Sequence, residues 1–469
     1  MNLTFPKDFT LGVATSSHQI EGALDEDGRG PSIWDRFAAT PGKIADGTDA
    51  ALACDHYHRM PEDVALMREL GVDGYRFSVA WSRVVPDGDG AVNEAGLDFY
   101  ERLVDRLLAV GIEPALTLYH WDLPLALEDR GGWRARPTAE AFVRYGEIVA
   151  RRLGDRVKRW ITHNEAWCIA TLGHELGEHA PGDKDPAAAI AVRHHLLLSH
   201  GWVVPVLRAH SPGAEIGITH NLQPVVPASP SAADRDLARR IDGAFNRWLM
   251  DPLVGRGYPE DIVADHVAAG HLPPDGRQPW VLPGDMAAMV QPLDFLGLNY
   301  YSRVVARDEA AADNLPRTIP AAPPEAKTDM GWEVYPPGLI ELLLRVQRDW
   351  PQRKILITEC GAAWPEGPDD AGRVRDERRV DFLRDHLAAC LVAIDRGIPL
   401  AGFYAWSLFD NFEWAFGLAK RFGIVWVDFA TQRRILKDSA LFYRDVLRKR
   451  ALAPEDLRAF PREGGGATP

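Results

Sequence analysis

Eight short apolar or β-branched runs recur along the chain, each followed by a longer stretch containing segments of helical periodicity. This alternation limits the fold more than any other feature. The runs span residues 9–17, 75–81, 113–120, 159–165, 215–221, 293–301, 354–359 and 400–407. Strands that alternate with helical segments predict parallel βα units. The helical pattern is clear at 61–70 and at 93–110, where Gly111 supplies a stop. It is equally clear at 376–396, which ends at Gly397 with Pro399 just beyond. An open doubly wound sheet usually carries a Gly-rich phosphate turn after its first strand. Here that position reads Ser16-Ser17-His18-Gln19-Ile20-Glu21-Gly22, and neither GxGxxG nor a P-loop occurs. No short-period repeat is visible beyond the alternation itself. The expected class is α/β: a single (β/α)8 TIM barrel with elaborated loops over its C-terminal mouth.

A chain of 469 residues is long enough for about three average domains, but α/β barrels stay single at such lengths when their loops carry insertions. The nearest approach to a linker is the Pro/Ala-rich run at 315–326, and the pattern resumes after it. We therefore expect one catalytic barrel over residues 1–455 and a tail at 456–469, ending in Gly464-Gly465-Gly466, without fixed structure. The net charge of −14 is poorly suited to binding nucleic acid through phosphates. The N-terminus has no apolar signal core, and no run of about 18 apolar residues exists, so no membrane association is expected and the cytoplasm is the default compartment. Cys54, Cys168, Cys360 and Cys390 show neither metal-like spacing nor the density of a disulfide framework. No cofactor is implied. The tempting metal motif is His174-Glu175-Leu176-Gly177-Glu178-His179, but a zinc helix needs histidines four apart. These are five apart and interrupted by glycine, so they do not share a helix face. His194 and His195 are adjacent and diverge on a helix; His56 and His58 are expected to hydrogen-bond locally.

The informative residues stand at the strand ends. Gln19 follows the first run and Arg76 lies in the second. His120-Trp121 end the third, Asn164-Glu165 the fourth, Asn299-Tyr300-Tyr301 the sixth, Glu359 the seventh and Trp406 the eighth, with Glu413-Trp414 in the loop beyond. The carboxyl ends of barrel strands converge on one mouth, where chemistry sits. Carboxylates, amides, an imidazole and indoles there suit a carbohydrate, because sugar hydroxyls donate and accept together. Sugar rings also present a C–H face that packs on tryptophan. The 15 tryptophans can equally serve packing. Glu165 and Glu359 together could cleave a glycosidic bond, if their carboxyls lie about 5–5.5 Å apart. Taken singly, each could be a structural ion pair.

These residues carry a resemblance to glycoside hydrolase family 1, the β-glucosidase family, over about residues 5–450. The motifs occur in order. Gln19-Ile20-Glu21-Gly22 is followed by Gly30-Pro31-Ser32-Ile33-Trp34-Asp35, Tyr75-Arg76-Phe77-Ser78 and Leu118-Tyr119-His120-Trp121-Asp122-Leu123-Pro124. Then come Trp160-Ile161-Thr162-His163-Asn164-Glu165, Gly297-Leu298-Asn299-Tyr300-Tyr301 and Ile357-Thr358-Glu359-Cys360-Gly361. The last is Tyr404-Ala405-Trp406-Ser407-Leu408-Phe409-Asp410-Asn411-Phe412-Glu413-Trp414. The resemblance implies hydrolysis of terminal non-reducing β-D-glucosyl residues with retention, with β-galactosyl and β-fucosyl residues as further candidates. It implies that Glu165 is the acid and then the base, and that Glu359 is the nucleophile. Arg76 and Tyr301 should contact Glu359 and keep it ionised. Asn164 should hold the 2-hydroxyl, and Gln19, His120, Glu413 and Trp414 the 3-, 4- and 6-hydroxyls. Trp121, Asn299 and Phe422 should line the sugar site, with Trp406 as its floor and Trp332 as the wall beside the leaving group. Glu413 argues for unphosphorylated substrates, since a carboxylate would repel a 6-phosphate. The partners implied are small β-glucosides or short β-linked oligosaccharides; a homo-oligomer stays open. Two positions depart from the family: Ala166 stands where proline is usual and Cys360 where asparagine is usual. A transglycosylase using the same carboxylates and a non-catalytic sugar-binding barrel are the competing readings. The loops that would separate hydrolysis from transfer, about 306–330 and 365–375, carry no readable signal.

Overall fold

The computed structural model describes residues 3–308, 317–318 and 326–453. All eight expected strands form, and all are parallel: β1 (Thr10–Ala14), β2 (Gly74–Ser78), β3 (Glu113–Tyr119), β4 (Arg159–Asn164), β5 (Glu215–His220), β6 (Phe295–Asn299), β7 (Ile355–Cys360) and β8 (Leu400–Trp406). They pair in sequence order. β1 closes the barrel against β8 in the register Thr10↔Gly402 to Ala14↔Trp406. The crossovers include α1 (His56–Leu70), α2 (Glu94–Ala109), α3 (Arg136–Leu153), α4 (Pro186–His210), α5 (Pro336–Asp349), α6 (Glu377–Asp395) and α7 (Asp438–Lys449). Between β5 and β6 the crossover is broken into shorter helices, including Ala232–Asp242 and Trp248–Leu253.

Boundaries differ from the sequence reading where a strand turns into a helix at the mouth. The first run was expected to reach residue 17, but β1 stops at Ala14 and a short helix, Ser17–Ile20, follows at once. The second was expected to reach residue 81, yet Trp81 opens another short helix, Trp81–Val84. In both cases apolar burial continues across the junction, so composition alone does not mark it. α1 begins five residues before Pro61, because Asp55 ties down its first turn: its carboxylate accepts from His58 Nδ1 at 2.6 Å and from Arg59 Nε at 3.1 Å.

The barrel interior is filled, not open. Arg159 lies at the N-terminal end of β4, where its guanidinium donates to Tyr404 Oη at 2.8 Å and pairs with Glu113 and Glu215. A separate buried cluster of Ile161, Phe295 and Leu356 comes from β4, β6 and β7. A second cluster, Ala14, Ala115, Tyr404, Trp406 and Phe422, reaches the mouth. Such layers are how barrels of this size pack. Fully buried Trp81, Trp133 and Trp160, the last within β4, knit strands to helices, each burial worth on the order of 2–3 kcal/mol. No helix among the described residues is long and apolar enough to cross a membrane. The tail at 456–469 and most of the 315–326 run lie outside the described residues.

Candidate active site

Barrel closure brings the strand-end residues to one opening. β4 delivers Asn164 and then Glu165, whose backbone turns left-handed at φ +54°. For a residue with a Cβ that conformation costs on the order of 1–2 kcal/mol. It is held by the Glu165 amide, which donates to the Thr219 carbonyl at 2.9 Å. Ala166 then opens a helical turn that leads into a π-helical segment, Cys168–Glu175. The first N–H of a helix has no intrahelical partner, so proline suits position 166, and alanine there gives up only the fixed φ. The other departure, Cys360, is fully buried at the end of β7, and burial pushes its thiol well up. The next residue must be glycine. A Cβ on Gly361 would meet the Trp406 carbonyl oxygen at 1.6 Å.

Glu359 is gripped by charge. Arg76, wholly buried on β2, donates from Nη1 to Glu359 Oε1 at 2.5 Å and to the Thr358 carbonyl at 3.1 Å. Its Nη2 donates to Asn164 Oδ1 at 2.7 Å. Tyr301 Oη donates to the other oxygen, Glu359 Oε2, at 2.5 Å. Burial raises this carboxyl, and Arg76 and then Tyr301 oppose the rise by favouring the ionised form.

Glu165 has only neutral partners of its own. Asn299 Nδ2 donates to its Oε1 at 2.6 Å, and the Cys168 thiol donates to its Oε2 at 3.1 Å. Asn299 is itself locked: Nδ2 also reaches Asn164 Oδ1 at 2.9 Å, and its Oδ1 accepts from Thr358 Oγ1 at 2.7 Å. Arg76 links the two carboxyls: it donates to Glu359 and to Asn164 Oδ1, which also accepts from the Asn299 amide that holds Glu165. Burial first, then the charge on Glu359, pushes the Glu165 carboxyl up to about 8. The pair therefore splits, with Glu359 ionising first.

The remaining expected residues surround this pair. Gln19 Nε2 donates to Glu413 Oε2 at 3.3 Å and to the Phe412 carbonyl at 3.0 Å. Burial, together with the charges on Glu359 and Glu165, pushes the half-buried Glu413 up to about 8. His120 Nε2 lies 3.2 Å from Asn164 Nδ2, its Nδ1 has no partner among the described residues, and burial keeps the ring neutral. Trp121 donates from Nε1 to the Asn164 carbonyl at 2.9 Å. Trp406 stacks on His120 at 5.9 Å, and Trp332 packs on Tyr301 at 5.3 Å and on Phe422 at 6.1 Å. Trp414 is wedged among Trp34, Trp121, His18 and His120, so its ring backs the two histidines.

Three residues at the site received no role from sequence. His18 is buried, has neither ring nitrogen partnered among the described residues and is pushed down to about 4 by burial. Asn411 accepts from Gln19 at 3.1 Å, and Cys168 touches Glu165. His18 and Asn411 are chain neighbours of residues singled out above, and adjacency was the signal available. The histidines near 174 are occupied elsewhere: His174 Nδ1 meets Asp183 at 2.8 Å, while His179 packs between Trp34 and Trp121. No group of three His, Cys, Asp or Glu side chains arranged to hold a metal occurs among the described residues.

Fold and site together define a class: barrel enzymes with two buried, unequally ionised carboxyls beside a pocket of amides and indoles. The sequence model for Glycosyl hydrolase family 1 matches residues 1–452, and the chain belongs to that family. It is a glycoside hydrolase. It is 50% identical over 458 residues to thermostable beta-glucosidase B of Thermobispora bispora, covering 96% of this chain and 92% of that protein. It is 42% identical to a bifunctional beta-D-glucosidase/beta-D-fucosidase of Bifidobacterium breve, covering 95% of this chain and 98% of that one. Among solved structures, the beta-glucosidase of Thermotoga maritima in complex with glucoimidazole superposes with a TM-score of 0.90 at 42% identity, covering 96% of this chain and 100% of that one.

Proposed function

We propose that this chain is a retaining β-glucosidase in which Glu359 is the nucleophile and Glu165 the acid, then the base. The observation that carries the proposal is the unequal grip on two buried carboxyls: Arg76 and Tyr301 hold Glu359, while Asn299 and Cys168 hold Glu165. Hydrogen bonds through Arg76, Asn164 and Asn299 join the two, and direct attack by Glu359 requires carboxyls about 5–5.5 Å apart. In the first step Glu359, ionised between Arg76 and Tyr301, bonds to the anomeric carbon. The C–O bond breaks, and its oxygen takes the proton from Glu165. Forming the ester removes the charge on Glu359, which is the second cause of the raised Glu165 carboxyl. Glu165 then ionises more readily and takes a proton from water as the water oxygen bonds to the anomeric carbon and the ester C–O bond breaks, returning Glu359 as a carboxylate. Asn164 Nδ2, Gln19, His120 and Glu413 offer donors and acceptors to the sugar hydroxyls, with Trp406 under the ring.

The substrates in this reading are small β-glucosides or short β-linked oligosaccharides, with β-fucosides and β-galactosides accepted as well. The breadth of the Bifidobacterium breve relative supports the fucosides. Four free cysteines support a reducing compartment, the cytoplasm. A panel of aryl β-glycosides, with the anomer of the first product read by NMR, tests the mechanism. A β-anomer formed first is expected. An α-anomer, or activity that survives Glu359→Gln, overturns it.

A further inference from the structure

Cys168 stands three residues after Glu165 on the first turn of the segment that follows β4. Its thiol donates to Glu165 Oε2 at 3.1 Å, while Asn221 Nδ2, just beyond β5, donates to the same sulfur at 3.3 Å. Cys168, Asn221 and Glu165 are all buried. Donors therefore run in series from Asn221 through sulfur to the carboxyl, and each contact polarises the next.

The two oxygens of Glu165 are thus held unequally. Oε1 takes a short bond from an amide at 2.6 Å, and Oε2 takes only a thiol. A thiol is a weak donor and a weak acceptor. An oxygen held by a strong donor is a poor seat for a proton. An oxygen beside sulfur can carry one, since the S–H can turn away and the sulfur can accept. We propose that Cys168 is a positioning residue for the acid/base: its thiol, oriented by Asn221, fixes the Glu165 carboxyl and leaves Oε2 as the oxygen that carries the transferable proton. This rests on Glu165 being the acid/base.

The charged and titratable groups facing Glu165 are Glu359 from β7, Arg76 from β2, Tyr301 after β6, Glu413 beyond β8 and Cys168 itself. Only the last changes in the test. Cys168→Ala removes a donor to the ionised carboxyl and should move the basic limb of kcat/KM upward by about half a pH unit. Cys168→Ser supplies a stronger donor at the same place and should move it downward by a similar amount. With an alkyl β-glucoside, which needs acid assistance, Cys168→Ala should lose about tenfold in kcat/KM. With a dinitrophenyl β-glucoside, which needs none, it should stay within about twofold of the parent. That second substrate also reports an intact site. Shifts in the same direction for both variants, no shift in either, or equal losses on both substrates would overturn the proposal. Glu165→Gln assayed on the same pair separates the premise: if that variant loses equally on both substrates, the acid/base assignment has failed instead.

Discussion

β7 and β4 deliver the same functional group to the same opening, yet surround it differently. Glu359 is met by a guanidinium and a phenol, one on each oxygen. Glu165 is met by an amide and a thiol, both neutral. Burial raises both carboxyls, so burial alone cannot assign their roles. The neighbours do. A buried cation favours the ionised form of Glu359, and that charge in turn disfavours ionisation of Glu165. The barrel thus makes an acid and a nucleophile from two identical side chains by choosing what each strand end faces.

The largest effect should come from erasing the difference at its charged end. Glu359→Gln keeps the shape and the Tyr301 contact but cannot attack carbon. A fall in kcat/KM of at least about 10⁴-fold is expected, read by p-nitrophenol release under steady-state conditions. The same substitution removes the charge facing Glu165, so any residual pH dependence should lose its basic limb near 8.

Glu165→Gln attacks the neutral end and should be selective. An alkyl β-glucoside should lose about 10²–10⁴-fold in kcat/KM, while a dinitrophenyl β-glucoside should lose little, because its leaving group needs no proton. A loss that is the same for both substrates would mean that the two carboxyls do not divide the labour as their surroundings suggest.

How far this division was legible in the sequence follows from where its parts lie. Asn164-Glu165, Asn299, Tyr301 and Glu359 each end an apolar run, and barrel geometry does the rest. The eight strands were readable for the same reason, through their period and spacing. The thiol beside Glu165 was not. Its position depends on the left-handed backbone at Glu165 and on a π-helical turn after it. No propensity rule assigns either to glutamate or to a Cys-Ile-Ala-Thr stretch. Trp414 shows the opposite limit. Its place in a motif suggested a hydroxyl contact, but its packing against Trp34 and Trp121, set by residues over 290 positions away, was not legible. The ends of β1 and β2 were misplaced because buried apolar residues continue into the short helices that follow them.

Tyr301→Phe tests the charged grip more gently. It deletes one O–H donor to ionised Glu359 and leaves Arg76 in place. The ionised form loses support, so the Glu359 carboxyl rises and the acidic limb of kcat/KM moves to higher pH. A hydrogen bond to a charged group is worth about 1.5–3 kcal/mol, so a loss of about 10–100-fold at neutral pH is expected. An acidic limb that stays fixed while kcat/KM falls would show that Tyr301 acts on the substrate and not on Glu359.

Glu413 gives the finest test, because it is a third carboxyl in the same opening with neither kind of grip. Its side-chain donor is Gln19 at 3.3 Å, and it is raised to about 8 by burial and by the charges of the pair. Its proposed task is to hold a sugar hydroxyl, so its removal should weaken binding without touching the chemical groups. Glu413→Ser should lower kcat/KM for an aryl β-glucoside by about tenfold, the upper end for a hydrogen bond between neutral groups, since Gln19 and His120 still reach the sugar. Most of the loss should appear in KM. Both limbs of the pH profile should stay near their parent positions, apart from a small downward drift of the basic limb as a neighbouring negative charge is removed. Unchanged turnover of the aryl glucoside would take Glu413 out of the sugar site. A collapse of kcat as large as that of Glu165→Gln would instead make it a member of the catalytic pair's own network.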